Sequence, residues 1–410
     1  MANAPCGRWN WRWKPRGVNG CGNGYRRNYR TKPSGWVRFF PLGERPAWHR
    51  RQETLHLDTT FGRIKLKVWR GKNPVDQTWG IPLRQRWGLL AHQRMSPALE
   101  ERLAYFVTVT GAYETAARLA LKVGIRTDDA RLHALIQRLG QRAQEQSQAR
   151  LQTVAEEKDP QRAPSPLGVL LLDGFLVRHR GPGWGGQKTL KNRVEWHEQK
   201  VGVFYRHEQS VPGQLVEKVV VSGQEPPWEL SRRLHWQAQR HGLNRARQLL
   251  ALGDGADWIW NTVADRWPSA HQLLDFYHAS QHLWSTGEVY QRAEAARRPW
   301  VESQLHQLRH GKEKQVLQHL ASLPKLRGER GKILQREQNY FAGHAHRLNY
   351  AQVARRGWPI GSGAVESACR QKQGRFKCRG QFWSQSGLAR LNALMEARDL
   401  DHWDQLWSAN

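Results

Sequence analysis

An apolar run that stops dead at an acid constrains this chain more than any other feature. In Leu250-Ala-Leu-Gly-Asp254-Gly-Ala-Asp-Trp-Ile-Trp260 the run ends at Asp254, and an aromatic-rich helical pattern begins at once. A short apolar run giving way to helical periodicity reads as a buried strand feeding a helix. Gly253 and Gly255 then hold the carboxylate at the edge of a sheet. A second strand of this kind ends in Asp173, in Val169-Leu-Leu-Leu-Asp173-Gly174. A third acid, Glu366, follows in Pro359-Ile-Gly-Ser-Gly-Ala-Val-Glu366-Ser, on a helical pattern. Two strand-end Asp residues and a later helical Glu are the set that two-metal phosphoryl transfer requires.

The charge balance indicates what such a site would act on. Lys and Arg outnumber Asp and Glu by 65 to 35, a formal charge of +30. The excess runs the whole length rather than sitting in one tail, which suits a long polyanion. Solubility alone does not need so large an imbalance. Hydrophobic content is only 39%, yet 21 Trp are present, and a disordered chain would be poor in aromatics. At 410 residues there is room for two or three domains. The four cysteines, Cys6, Cys21, Cys369 and Cys378, are too few and too scattered for a disulfide framework. No apolar run approaches the ~18 residues that would span a bilayer. The N-terminus has no apolar central segment of a secretory signal. A cytoplasmic, nucleoid-associated protein is therefore expected.

Six segments are expected. Residues 1–45, with Arg8, Trp9, Trp11, Arg12, Trp13 and Lys14, read as a basic-aromatic arm or a disordered leader. Residues 46–95 hold a hairpin alternating around Thr60-Phe-Gly-Arg63, with one polar face. Residues 96–150 are helical. Ser96-Pro97 opens the first helix, Gly124 closes a later one, and Thr127 caps the next, with Asp128 and Asp129 in its first turn. The last two helices are either a helix-turn-helix-like pair, with Arg131, His133, Gln137 and Arg138 facing DNA, or a plain bundle. A polar linker near 152–166 precedes a mixed α/β sheet over 165–278, an all-α segment over 279–355, and helices over 356–410 carrying Glu366.

The three acids lie 81 and 112 residues apart, and the second gap needs an insertion. Their order is that of an RNase H-like core interrupted by a helical insertion. Asp254-Gly-Ala-x-Trp-Ile, Leu274-Asp-Phe-Tyr-His278 and Gly361-Ser-Gly-x-Val-Glu366-Ser resemble the DDE transposases of the Kra-type bacterial insertion sequences, relatives of the Mutator-like group. Leu-Leu-Asp173-Gly and Arg102–Gly124 also fit, so the resemblance covers roughly residues 55–400. It implies that Asp173, Asp254 and Glu366 are catalytic and ligate two divalent ions, Mg²⁺ or Mn²⁺, which prefer carboxylate oxygens. One ion would activate the attacking water or 3′-hydroxyl, and the other would stabilise the leaving oxygen.

Asp257 rivals Asp254, but falls on the first helical turn, where it serves the dipole. Asp275-x-x-His278 resembles an auxiliary element after the second Asp in Mutator-like relatives, with His278 near the metals. Otherwise His278 is simply hydrogen-bonded at a helix start, or Asp275, His278 and His282 bind zinc. Many members of the family carry a Cys-x-x-Cys pair near the hairpin, where this chain has Trp69-Arg-Gly-Lys-Asn-Pro. Cys369 reads as a small hydrophobe on the Glu366 helix. Arg370, Arg375, Lys377, Arg379 and Trp383 offer cations and a stacking ring for DNA, or a solvated helix face. The function implied is cleavage at transposon terminal repeats and strand transfer into target DNA, by a homodimer on double-stranded DNA. A catalytically inactive descendant that binds DNA, or an RNase H-like nuclease without strand transfer, are the alternatives. The hairpin and the helix pair before residue 150 are expected to read the transposon end rather than cut it, and the region from about 165 to fold alone.

Overall fold

The computed structural model describes residues 48–72, 77–87, 89–90, 92–185, 193–207, 215–291 and 293–407. The basic-aromatic arm, with Cys6 and Cys21, lies outside them. The chain divides between Glu100 and Glu101 into two compact units.

In the first unit, strand β1 (Trp48–Thr59) pairs antiparallel with β2 (Gly62–Lys72). Thr59 faces Gly62, which leaves Thr60 and Phe61 as the turn, with Gly62 at φ +105° where a side chain would be strained. Alternation buries Leu55, Leu57 and Val68 and leaves the intervening polar residues outward. A third strand, β3 (Trp79–Gly80), pairs with β2, and a short helix α1 (Pro82–Arg86) follows. The chain then returns to β1, where the Ser96 N–H donates to the Asp58 carbonyl at 2.9 Å. Helix α2 (Pro97–Val109) starts as expected, with Ser96 Oγ accepting from the Leu99 N–H at 3.3 Å.

The second unit contains helices α3 (Tyr113–Lys122) and α4 (Asp129–Gln152), joined through Gly124 at φ +80°. The cap of α4 is Asp128, which accepts from the Arg131 N–H, and not Thr127. A carboxylate is the stronger acceptor for the orphan amides, and Thr127 Oγ1 is buried without a partner among the described residues.

Strands β4 (Leu167–Arg180), β5 (Val194–His207) and β6 (Val216–Gly223) form an antiparallel meander. Helix α5 (Pro227–Arg240) leads to β7 (Gln248–Gly253), and α6 (Asp257–Arg266) leads to β8 (His271–Leu274). β7 lies parallel to β4, and β8 parallel to β7, so the mixed sheet runs β6-β5-β4-β7-β8. From α7 (Phe276–Tyr290) through α8 (Glu294–Arg309), α9 (Glu313–Ser322), α10 (Gly328–Gly343) and α11 (Tyr350–Arg355) the described chain is helical, with no strand. Helices α12 (Gly363–Phe376) and α13 (Gln385–Asp399) complete the unit. No described helix is long and apolar enough to cross a membrane.

Helices cover both faces of the sheet. Gly202 of β5 and Gly253 of β7 admit Leu234 of α5 and Ile259 of α6 on one face. On the other, Cys369 of α12 reaches Asp173, and Asn392 of α13 accepts from Ser222 Oγ at 2.7 Å. The core strands are therefore almost continuously apolar, as buried parallel strands must be.

α13 also packs along α4, so the helices before residue 152 belong to the same compact unit as the sheet. A Cβ at Gly140 would stand 2.4 Å from the Arg390 carbonyl oxygen, and Gln137 accepts from Arg390 at 2.9 Å. Gln137 is thus engaged in this packing, and the compact unit that holds the sheet begins at Glu101 rather than near residue 165. The buried face of α4, with Leu132, Leu135, Ile136 and Leu139, is covered by α13.

Candidate active site

The register of three parallel strands builds the site. Leu172 of β4 faces Gly253 of β7, and Gly253 faces Leu274 of β8. The next residue in each case is an aspartate: Asp173 within β4, and Asp254 and Asp275 directly after the ends of β7 and β8. Each then follows a separate course.

Asp173 continues along β4, its carboxylate accepting from the Gly174 N–H at 2.7 Å and the Cys369 thiol at 3.4 Å. Burial pushes its pKa up, against those two donors. Asp254 leaves β7 in a tight turn, with one carboxylate oxygen accepting from the Ala256 N–H at 2.8 Å. Its carbonyl accepts from the Trp260 indole at 2.9 Å, which ties the turn to α6. Gly255 has its reason here: a Cβ would sit 2.2 Å from the Tyr340 ring and 2.9 Å from His344, both at the end of α10.

Asp275 caps α7. Fully buried, it accepts from the His278 N–H at 2.8 Å and pairs with His278 Nδ1 at 2.9 Å through the same oxygen. A proton held on Nδ1 leaves Nε2 as the free lone pair. The Asp275 bond raises the His278 pKa, and Asp254 and Asp173 add to this against the pull of burial.

One ligand atom each from Asp173, Asp254 and His278 lies within 4.8 Å of the others. Among the described residues this is the one such group of three or more His, Cys, Asp or Glu side chains. Two carboxylates and an oriented imidazole fit a divalent cation, with the imidazole favouring Mn²⁺ over Mg²⁺. His282 is not part of it. It bonds to Glu337 and stacks on Tyr340 with centroids 3.6 Å apart.

Glu366 stands outside the group. It lies in the first turn of α12, accepting from Ser362 Oγ at 2.7 Å and from Arg370 at 3.4 Å. Cys369, one turn later on the same helix, is the residue that touches Asp173. Burial, then the Asp173 charge, pushes its thiol well above the ordinary range, so it remains a donor. Asp257 opens α6, as expected.

The expected DNA-facing residues divide. Arg370, Lys377, Arg379 and Arg131 are exposed, although Arg370 pairs with Glu366 and Arg131 with Asp128. Arg138 is half-buried. For Arg375 and Trp383 the expectation is corrected. Arg375 is 2% exposed, donating to the Val107 and Gly111 carbonyls beneath the Tyr113 and Trp383 rings. Trp383 is 8% exposed and donates its indole N–H to the Phe376 carbonyl. Both fix the turn between α12 and α13, because a buried guanidinium must find acceptors and does so in carbonyls left open at the end of α2.

Sequence reasoning missed Tyr340 and His344, which approach the Asp254 turn from α10, and the polar role of Cys369. The first pair carried no local signal. For Cys369 the signal was present: three residues after Glu366 puts it on the same helix face. No family model matches this chain, and no curated protein does either.

Proposed function

We propose that this protein is a DNA transposase of the DDE class, performing divalent-metal-dependent phosphoryl transfer at transposon ends. The observation that carries the reading is the convergence of Asp173 on β4, Asp254 just past β7 and His278 in the first turn of α7, with one ligand atom of each within 4.8 Å of the others. An RNase H-like identity for the second unit is supported by its strand order and directions, three antiparallel then two parallel. Residues 279–355 would then be the helical insertion. The +30 charge supports double-stranded DNA as the substrate.

Asp173, Asp254 and His278 would hold the cation, with Glu366 the remaining carboxylate at that end of the sheet. The bound metal would activate the attacking hydroxyl and offset charge on the leaving oxygen. The protein's own contribution is orientation. Asp275 fixes the His278 tautomer, Gly174 and Cys369 aim the Asp173 carboxylate, and the Asp254 turn is locked by Ala256 and Trp260. Such fixed dipoles cost no reorganisation during reaction.

Cleavage of DNA carrying the element's terminal repeats, in Mg²⁺ or Mn²⁺, tests the reading. Asp173→Asn and Asp254→Asn should each reduce cutting to background while duplex binding persists, and Asp257→Asn should cut normally. If both acid variants cut like the parent protein, the proposed site is wrong. Glu366→Gln reports whether the carboxylate outside the group takes part.

A further inference from the structure

Beyond residue 174, β4 and β5 run on as a ribbon past the end of β7. β7 pairs with β4 only as far as Leu172, whereas the β4–β5 pairing continues to Arg180 and Val194. On the free edge the chain near Trp383 takes over, with the Arg180 N–H donating to the Trp383 carbonyl at 2.8 Å and the Trp383 N–H to that of Arg178 at 3.1 Å. Alternation sends His179 and Trp383 to the covered face. Arg178 and Arg180 go to the other, and so does Trp196, which lies directly opposite Arg178.

That outer face is open, and mostly apolar and cationic, with Glu198, two residues from Trp196, paired to Lys200. Trp196 is 56% exposed and Trp184, just past the end of β4, 39%. Arg178 lies over the Phe382 ring at 4.9 Å and Arg180 over the Trp184 ring at 5.6 Å. Trp184 and Phe382 are tilted against each other at 4.7 Å. A folded protein gains nothing by leaving two tryptophans this exposed beside two guanidinium groups. The combination of ring faces and fixed cations is what unpaired bases and their phosphates need. Arg178 is five residues from Asp173, so the platform begins about 16 Å along β4 and, by the same alternation, on the opposite face of the strand from the Asp173 carboxylate.

We propose that this ribbon is a binding surface for unpaired DNA. It would stack bases of the strand end on Trp196 and Trp184 and hold their phosphates at Arg178 and Arg180. The inference rests on the proposed function, which supplies DNA as the ligand. It gives a use to the outward face of an extension whose inward face is filled by Phe175, Val177 and His179. Duplex does not suit the platform, since its bases are stacked on one another and offer no free face.

Affinity of the full chain should be measured without divalent metal, for a fluorescent single-stranded oligonucleotide and for a blunt duplex of the same length. Trp196→Ala should weaken single-strand binding on the order of 10- to 100-fold and leave duplex binding within about twofold. Trp196→Phe, which keeps a ring, should retain most of it, and Trp184→Ala should act in the same direction as Trp196→Ala. Unchanged single-strand affinity in both alanine variants would overturn the proposal, as would an equal loss for duplex. Metal-dependent cleavage is read in parallel. Cutting that is intact with no tryptophan effect removes only this inference. Tryptophan-dependent strand binding without any cutting removes only the transposase reading.

Discussion

Asp275 has no solvent exposure, yet only one of its carboxylate oxygens is engaged among the described residues, and by His278 twice over. A buried carboxylate held this way supports a charged or metal-bound imidazole and does little else. Asp275→Asn preserves shape and the helix cap but removes the charge. It should weaken divalent-metal binding about 10- to 100-fold, as loss of a ligand's outer partner does elsewhere. A Mn²⁺ titration of the full chain would show it, and an unchanged affinity would separate Asp275 from the site. The Asp275–His278 pair was legible in the sequence because both members sit three residues apart at a helix start. Legibility failed for Arg375 and Trp383. A basic, aromatic segment looks the same whether its side chains face solvent or bury against carbonyls, and only the packing of α2 and α3 distinguishes the two.

Helix α4 shows the same divide among elements. The helix and its cap region near residue 128 could be read from the chain, and its buried face carries Leu132, Leu135, Ile136 and Leu139. What fills that face is α13, more than two hundred residues away, and no local pattern encodes such a partner. Gly140 is the point of closest approach. Gly140→Ala brings a Cβ against the Arg390 backbone, which should cost about 1–3 kcal/mol by overpacking, more than the ~1 kcal/mol gained in helix propensity. Urea denaturation would measure the net loss, and a stabilised variant would contradict the packing described. For the same reason a fragment of residues 165–410 should bind hydrophobic dyes and unfold without a sharp transition, because the α13 face around Arg390 is uncovered. By contrast, the end of β7 before Asp254 and the start of α6 at Asp257 are legible in the chain itself. An abrupt switch from unbroken apolar to helical periodicity leaves no room for sliding.

At the scale of the molecule, acid sensitivity follows from two histidines buried together. His402 and His241 are each pushed down to about 4, chiefly by burial. Arg150 and Arg240 add to this at His402, and Lys158 and Arg240 at His241. An unfolded chain binds protons at both from about pH 6.5, whereas the folded one resists until about pH 4. Stability is therefore intact above pH 6.5 and falls as pH drops toward 4. Thermal unfolding across that window should show a falling midpoint, and His402→Gln should flatten the decline; an equally steep slope would exclude His402 as a source. Taken by itself, the sequence determined the order of strands and helices, the acid that follows β7, the histidine after β8 and the excess of positive charge. These are local or additive properties, written in periodicity and composition. The strand expected to end at Asp173 instead runs on to Arg180, because β5 stays paired with it. Tertiary structure alone decided that three aspartates follow paired residues of neighbouring strands, that His278 rather than Glu366 completes the close group, and which arginines and tryptophans are left open to a ligand. Register and packing are set by segments distant along the chain, and one residue of slip in any strand would move each of those side chains to the opposite face.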